Sequence, residues 1–162
     1  MRLPLALLLC LALSTPAAAA TEQFAARVIS VADGDSITVL TQDKQQVRIR
    51  LYGIDCPEKG QAFGSRATHA TSDAAFGKNV TVQPVDTDRY GRTVAVVLMP
   101  DGKSLNEQLV RDGLAWVYRQ HCKHEEICGR LKDLEQAATA DKLGLWADKK
   151  PAPPWEWRQR RK

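Results

Sequence analysis

The chain of 162 residues has no apolar run long enough to cross a bilayer as a helix. Its longest, Leu3 to Leu13, broken only by Pro4, is about half the required length. Arg2 precedes that run, and Ser14-Thr15-Pro16 and a string of alanines follow it, with Ala18 and Ala20 fitting a small-x-small cleavage signal. Residues 1–20 therefore read as a signal peptide cut near Ala20, which makes the expected protein secreted or periplasmic. A lipid anchor at Cys10 is excluded by the bulk of Leu9 before it. Charge of neither sign dominates: 23 basic residues against 19 acidic give +4, and +3 once Arg2 is removed. So small an excess does not by itself establish an anionic partner, although Arg158, Arg160, Arg161 and Lys162 concentrate it at the end of the chain. There is also no internal repeat, so the stretch after residue 20 is read as one domain, 21–147, followed by an extended Pro/Trp/Arg-rich tail, 148–162.

Few cysteines remain after the leader: Cys56, Cys122 and Cys128. In an oxidising compartment Cys122 and Cys128 are disulfide candidates closing a small loop, and Cys56 with Cys122 is the competing pairing. With His121 and His124 the same segment carries zinc-ligand residue types, although a structural zinc site needs a closed tetrahedral set.

Hydropathy patterning gives the elements. Phe24 to Val31 and Ser36 to Leu40 are rich in β-branched residues and flank Asp33-Gly34-Asp35, which reads as a hairpin. Val47, Ile49 and Leu51 alternate with Arg48 and Arg50, as in a half-buried strand. Phe63 to Phe76 reads as a helix ended by Gly77. Val80 to Val85 and Thr93 to Met99 are further strands, and Pro100-Asp101-Gly102 is a turn. A helix from Ser104 to Asp112 opens on a capping box completed by Glu107, and Glu125 to Ala140 carries an apolar stripe of Ile127, Leu131 and Leu134. The prolines at 151, 153 and 154 predict an extended tail. Three strands, a helix, two strands and then helices fit an α+β domain built on a five-stranded Greek-key barrel with about three α-helices.

The chemistry-bearing residues fall in three clusters. Asp33, Asp35, Asp55 and Glu58 lie at strand ends or in the loops after them, where carboxylates and backbone carbonyls suit a hard cation. Arg50 lies on a strand five residues before Asp55, and Arg92 follows the Tyr90-Gly91 turn. A guanidinium grips two phosphate oxygens at once and stays charged, so two arginines beside a cation form a clamp for a phosphoryl transition state. Taken singly, Asp33-Gly34-Asp35 is ordinary turn chemistry and each arginine an ordinary surface ion pair.

Together, Asp33-Gly34-Asp35, Arg50 to Asp55-Cys56-Pro57-Glu58, and Asp88-Arg89-Tyr90-Gly91-Arg92 resemble the staphylococcal nuclease (thermonuclease) family. The resemblance runs from about Val28 to Trp146 and includes Asn106-Glu107 and Gly144-Leu145-Trp146. It implies an OB-type barrel and Ca²⁺-dependent, largely sequence-independent endonucleolytic cleavage of DNA and RNA that leaves 3′-phosphate ends. Asp35 and Asp55 would be carboxylate ligands of Ca²⁺, Cys56 would give its backbone carbonyl, and Asp33 would stand behind them. Glu58 would take a proton from the attacking water or orient it. Arg50 and Arg92 would bind the phosphate and stabilise its transition state, and Arg89 and Tyr90 would contact a neighbouring nucleotide. The expected protein is a monomer with nucleic acid as its partner and no obligate protein partner; the alternative is a barrel of the same kind that binds nucleic acid without cutting it. Departures from the family pattern are Ser36 in place of threonine, Cys56 in place of a hydroxyl residue, Leu98 where aromatics are usual, a short segment between Glu58 and Phe63, and the tail after Trp146.

Overall fold

The computed structural model describes residues 22–160; the expected leader and residues 161–162 lie outside them. Strands β1 (Phe24–Asp33) and β2 (Ser36–Thr41) form the expected hairpin, with Asp33 opposite Ser36 across the Gly34-Asp35 turn. Strand β3 (Gln46–Leu51) runs antiparallel to β2 and sets Ser36 opposite Arg50. A two-residue strand β4 (Ile54–Asp55) and helix α1 (Gly64–Ala75) follow. Strands β5 (Asn79–Thr87) and β6 (Thr93–Leu98) form a second hairpin. β5 pairs with β1, and β6 pairs parallel with β3, which closes a barrel in the order β1-β2-β3-β6-β5. The expected α+β barrel is therefore present, with one more helix than expected.

Period-two patterning explains the barrel interior. In β3, Ile49 and Leu51 are buried while Arg48 and Arg50 take the other face. Val28, Val39, Val82 and Val97 complete that interior, and Leu105, Leu109 and Leu131 close it from the helices. Helix α2 (Leu105–Arg111) begins at Ser104, whose Oγ accepts from the Glu107 amide at 3.3 Å. The Glu107 carboxylate accepts instead from Arg130 Nε at 3.0 Å, tying α2 to α3 (Glu125–Ala140). A second two-residue strand, β7 (Trp116–Val117), pairs with β4 and places Trp116 opposite Asp55. Cys122 and Cys128 form a disulfide across the start of α3, and Cys56 remains a free, buried thiol. No helix among the described residues is long and apolar enough to cross a membrane.

Asn106 stitches these parts together. It is fully buried; its Oδ1 accepts from the Val97 amide at 3.1 Å, and its Nδ2 donates to the carbonyls of Tyr52 and Ala95 at 3.0 and 3.2 Å. Asn106→Ala is expected to lower unfolding free energy by about 2–4 kcal/mol, because buried backbone groups lose their partners. Urea unfolding followed by circular dichroism measures this, and a loss below about 1 kcal/mol would contradict the assigned network.

The tail differs from its expected extended form. After residues 148–153, Pro154–Gln159 form a short helix, α4, with Pro154 buried. Proline at the first helical position loses no hydrogen bond there, and its fixed φ already suits a helix. The run of prolines thus starts this helix rather than forbidding one.

Candidate active site

The hairpin turn between β1 and β2 is pressed into the protein. A Cβ added to Gly34 would stand 2.8 Å from the Cβ atoms of Ala67 on α1 and Cys56, so glycine is required here for closeness of approach. Thr71 Oγ1 of α1 donates to the Gly34 carbonyl at 2.6 Å and fixes the turn against the helix. Asp33 Oδ1 accepts from the Asp35 amide at 3.1 Å, a side-chain turn that aims Asp35 inward. Asp35 is buried, and its Oδ2 accepts from the Cys56 amide at 2.6 Å.

Arg50 reaches the same place from β3. Its Nη1 lies 3.0 Å from Asp35 Oδ2, and its Nη2 lies 2.8 Å from Asp55 Oδ1. Burial pushes the Asp35 carboxyl up to about 7 despite the pull of Arg50, with Asp33 and Asp55 pushing the same way. Burial works against the charge on Arg50, but Asp35 and Asp55 outweigh it and hold the guanidinium more firmly protonated than usual. Burial also raises the Cys56 thiol well above its ordinary range, so it is a packed, unreactive group.

Barrel register brings the second arginine alongside. β6 pairs in parallel with β3 from Thr93 opposite Ile49, so Arg92, just before β6, stands level with Arg48 and reaches the site through its side chain. Ser36 links the two: its Oγ donates to Asp35 Oδ1 at 3.2 Å and accepts from Arg92 Nη1 at 3.3 Å. Asp88 holds Arg92 Nε at 2.7 Å and accepts from the Arg92 and Tyr90 amides. Burial alone would raise the Asp88 carboxyl, but these bonds together outweigh it and hold the carboxyl below its ordinary value. Glu58 sits at the edge, its side chain one third exposed, in a loop where Gln61 Oε1 accepts from the Glu58 amide at 3.0 Å.

Asp33, Asp35, Arg50, Asp55, Cys56 and Glu58 thus meet at one end of the barrel, with Arg92 joined through Ser36. Arg89 and Tyr90 lie on the exposed β5–β6 turn beside Arg92, whose guanidinium is 5.7 Å from the Tyr90 ring centre; the Arg89 guanidinium lies 4.9 Å from the same centre and its Nη2 donates to the Tyr90 hydroxyl at 2.8 Å. Arg48 Nη2 donates to the Tyr90 carbonyl at 2.9 Å and steadies that turn; its place in the β3 alternation, two residues before Arg50, was the available signal. Ser36 and Arg158 were likewise absent from the expected site. Cys122 and Cys128 are spent in their disulfide and leave no cysteine ligands for zinc beside His121 and His124.

The model for staphylococcal nuclease homologues matches residues 48–148. The chain belongs to the staphylococcal nuclease family. Its relatives include a micrococcal nuclease of Shigella flexneri, 40% identical and covering 84% of this chain and 81% of the relative. Protein ParB of Escherichia coli is 41% identical over 92% of this chain and 87% of its own length. An uncharacterized endonuclease of Escherichia coli is 44% identical over 83% of this chain and 85% of its own. The matched stretch of this nuclease holds Arg50, Asp55, Glu58 and Arg92, while the turn carrying Asp35 lies just before it.

Proposed function

We propose that this nuclease is an exported, monomeric endonuclease that hydrolyses phosphodiesters of DNA and RNA with the help of Ca²⁺, leaving 3′-phosphate ends. The observation that carries the reading is the meeting of Arg50 with two buried carboxylates and Glu58 at one end of the barrel, with Arg92 alongside.

The donor set suits a hard cation. Asp35 and Asp55 offer carboxylate oxygens and Cys56 a backbone carbonyl, all on short segments held by the barrel, and Ca²⁺ completes its shell of 6–8 oxygens with water. Among the described residues no three His, Cys, Asp or Glu side chains already converge as a metal cage, because the carboxylates face guanidinium groups. When bound, the cation supplies Lewis-acid polarisation of the phosphate and neutralises developing charge.

The chain's own residues do the rest. Arg50 and Arg92 hold non-bridging phosphate oxygens and take up the charge that builds on them as water adds. Glu58 accepts a proton from that water or orients it. The bond from phosphorus to the 5′ oxygen breaks, the 5′ hydroxyl leaves with a proton, and the phosphate stays on the 3′ side. Asp33 keeps Asp35 aimed at the cation, and Arg89 and Tyr90 meet the next nucleotide on the exposed turn. A site on a small open face favours single-stranded or frayed segments over stiff duplex.

Chelation is the direct test. Cleavage of DNA and of RNA by the protein with Ca²⁺ is expected to fall to background when a chelator is added and to return when Ca²⁺ is restored. Cleavage that continues undiminished in chelator would remove the metal from the mechanism. Failure to cleave either nucleic acid with Ca²⁺ would leave only the binding module.

A further inference from the structure

One side chain at the carboxylate cluster comes from the far end of the chain. Arg158 of α4 places Nη2 2.8 Å from Asp55 Oδ2, and Nη1 3.3 Å from Asp55 Oδ1 and 2.5 Å from Glu58 Oε1. With Arg50 also on Oδ1, both oxygens of Asp55 are taken by guanidinium groups. The bonds to Asp55 and Glu58 hold the Arg158 charge more firmly than usual, although burial opposes it.

This contact is built from two sides. Gln61, three residues after Glu58, donates from Nε2 to the Ala152 carbonyl at 2.7 Å and pins the approach to α4. On the other side the Trp155 ring stacks on Tyr118, with centroids 5.3 Å apart and planes within 3°, and sets its edge against Trp116 at 5.8 Å. Trp116 is the strand partner of Asp55. Trp155 and Arg158 are three residues apart on one helix, so the face that docks is also the face that delivers the guanidinium.

We propose that α4 is an autoinhibitory latch in which Arg158 takes the oxygens of Asp55 and Glu58 that the divalent cation and the attacking water require, so that α4 must leave before the site can cut. The latch rests on the hydrolytic reading above. Glu58 has Oε1 committed to a guanidinium, and both carboxylate oxygens of Asp55 are held by guanidinium groups rather than open to a metal. A third phosphate-gripping arginine is the other role open to Arg158, but its donors are turned onto carboxylates. Asp55 is buried, but 39% of the Arg158 side chain and 35% of the Glu58 side chain are accessible, so a doubly charged cation that displaces Arg158 from this edge can take Asp55 and release the helix.

The test is Ca²⁺ binding to the full chain without nucleic acid, by titration calorimetry, for wild type, Arg158→Ala and Trp155→Ala. Both variants are expected to bind Ca²⁺ on the order of tenfold more tightly or better, since each removes a competitor worth at least one charge-assisted hydrogen bond. Trp155→Ala keeps the guanidinium and weakens only its docking, so a gain there shows that the helix as a unit excludes the cation. In wild type, Ca²⁺ should change tryptophan fluorescence as Trp155 leaves Tyr118, and half-maximal DNA cleavage should need more Ca²⁺ than in either variant. Unchanged affinity in Arg158→Ala overturns the latch, and so does slower cleavage with a raised KM, which would make Arg158 a phosphate ligand. Wild type that binds Ca²⁺ but cuts no nucleic acid would defeat the hydrolytic reading while the binding comparison still decided whether Arg158 competes with the cation.

Discussion

Arg50→Ala is expected to lower kcat for DNA cleavage by at least about 10³-fold, the scale on which arginines that stabilise a phosphoryl transition state act. The size of the effect follows from its position. Its side chain is 14% exposed and lies between Asp35 and Asp55, so its charge acts in a poorly solvated place where electrostatic contacts are strong. No neighbour can take over: the Nε of Arg92 is engaged by Asp88, and Arg158 points at Asp55 and Glu58. Arg50→Lys should recover little of the loss, because an ammonium keeps the charge but cannot span two oxygens of one phosphate. Arg50 also compensates two buried carboxylates, so part of any loss could come from the fold. Protonation of Asp35, already raised to about 7, limits that part, and unfolding free energy should fall by no more than about 3 kcal/mol. Steady-state kinetics with thermal unfolding of the same samples separates the two effects. A well-folded Arg50→Ala protein within tenfold of wild type would end the assignment of Arg50 as a transition-state ligand.

How much of this site could be read beforehand depends on how local its parts are. Asp33-Gly34-Asp35 announced a turn through its own chemistry, and the alternation from Val47 to Leu51 put Arg50 on the face opposite Ile49. Arg50 and Asp55 meet because β3 runs almost directly into β4, so their spacing in sequence resembles their spacing in space. Arg92 needed more: it joins the site through the parallel pairing of β6 with β3, and no local pattern specifies that register. β4 and β7 are two residues each and leave no periodic trace, yet their pairing brings Trp116 opposite Asp55 and so prepares the surface on which Trp155 docks. Arg158 lies 103 residues from Asp55, in a segment whose prolines predict an extended chain. The spacing of Trp155 and Arg158 would have shown one helical face had Pro154 been taken as a first helical residue.

Gly64→Ala should be the most damaging small substitution near the site, and it should act through Glu58. A Cβ at Gly64 would stand 2.0 Å from the Glu58 carbonyl oxygen and 3.2 Å from that of Pro57, with no flexible side chain to yield. The loop from Pro57 to Phe63 turns back so tightly that the Gln61 amide donates to the Glu58 carbonyl at 2.9 Å and the Gly64 amide to Gln61 at 3.0 Å. Phe63 holds φ of 67° to make the turn into α1, a conformation already costly for a bulky residue. Relief of the clash must move either the start of α1, which carries Ala67 against Gly34, or the backbone of Glu58 itself. The first loosens the Asp35 turn; the second misplaces the carboxylate that handles the water. Overpacking of this kind costs about 1–3 kcal/mol or more, and an ångström of misplacement at a reacting group costs on the order of 10²-fold in rate. The expected result is a protein with lowered thermal stability whose kcat falls on the order of 10²-fold. Ala67→Gly, which only opens space at the same helix, should lower stability without a comparable loss in kcat. Gly64→Ala with wild-type kcat and stability would show that the Glu58 loop is free to move and does not set the position of the carboxylate.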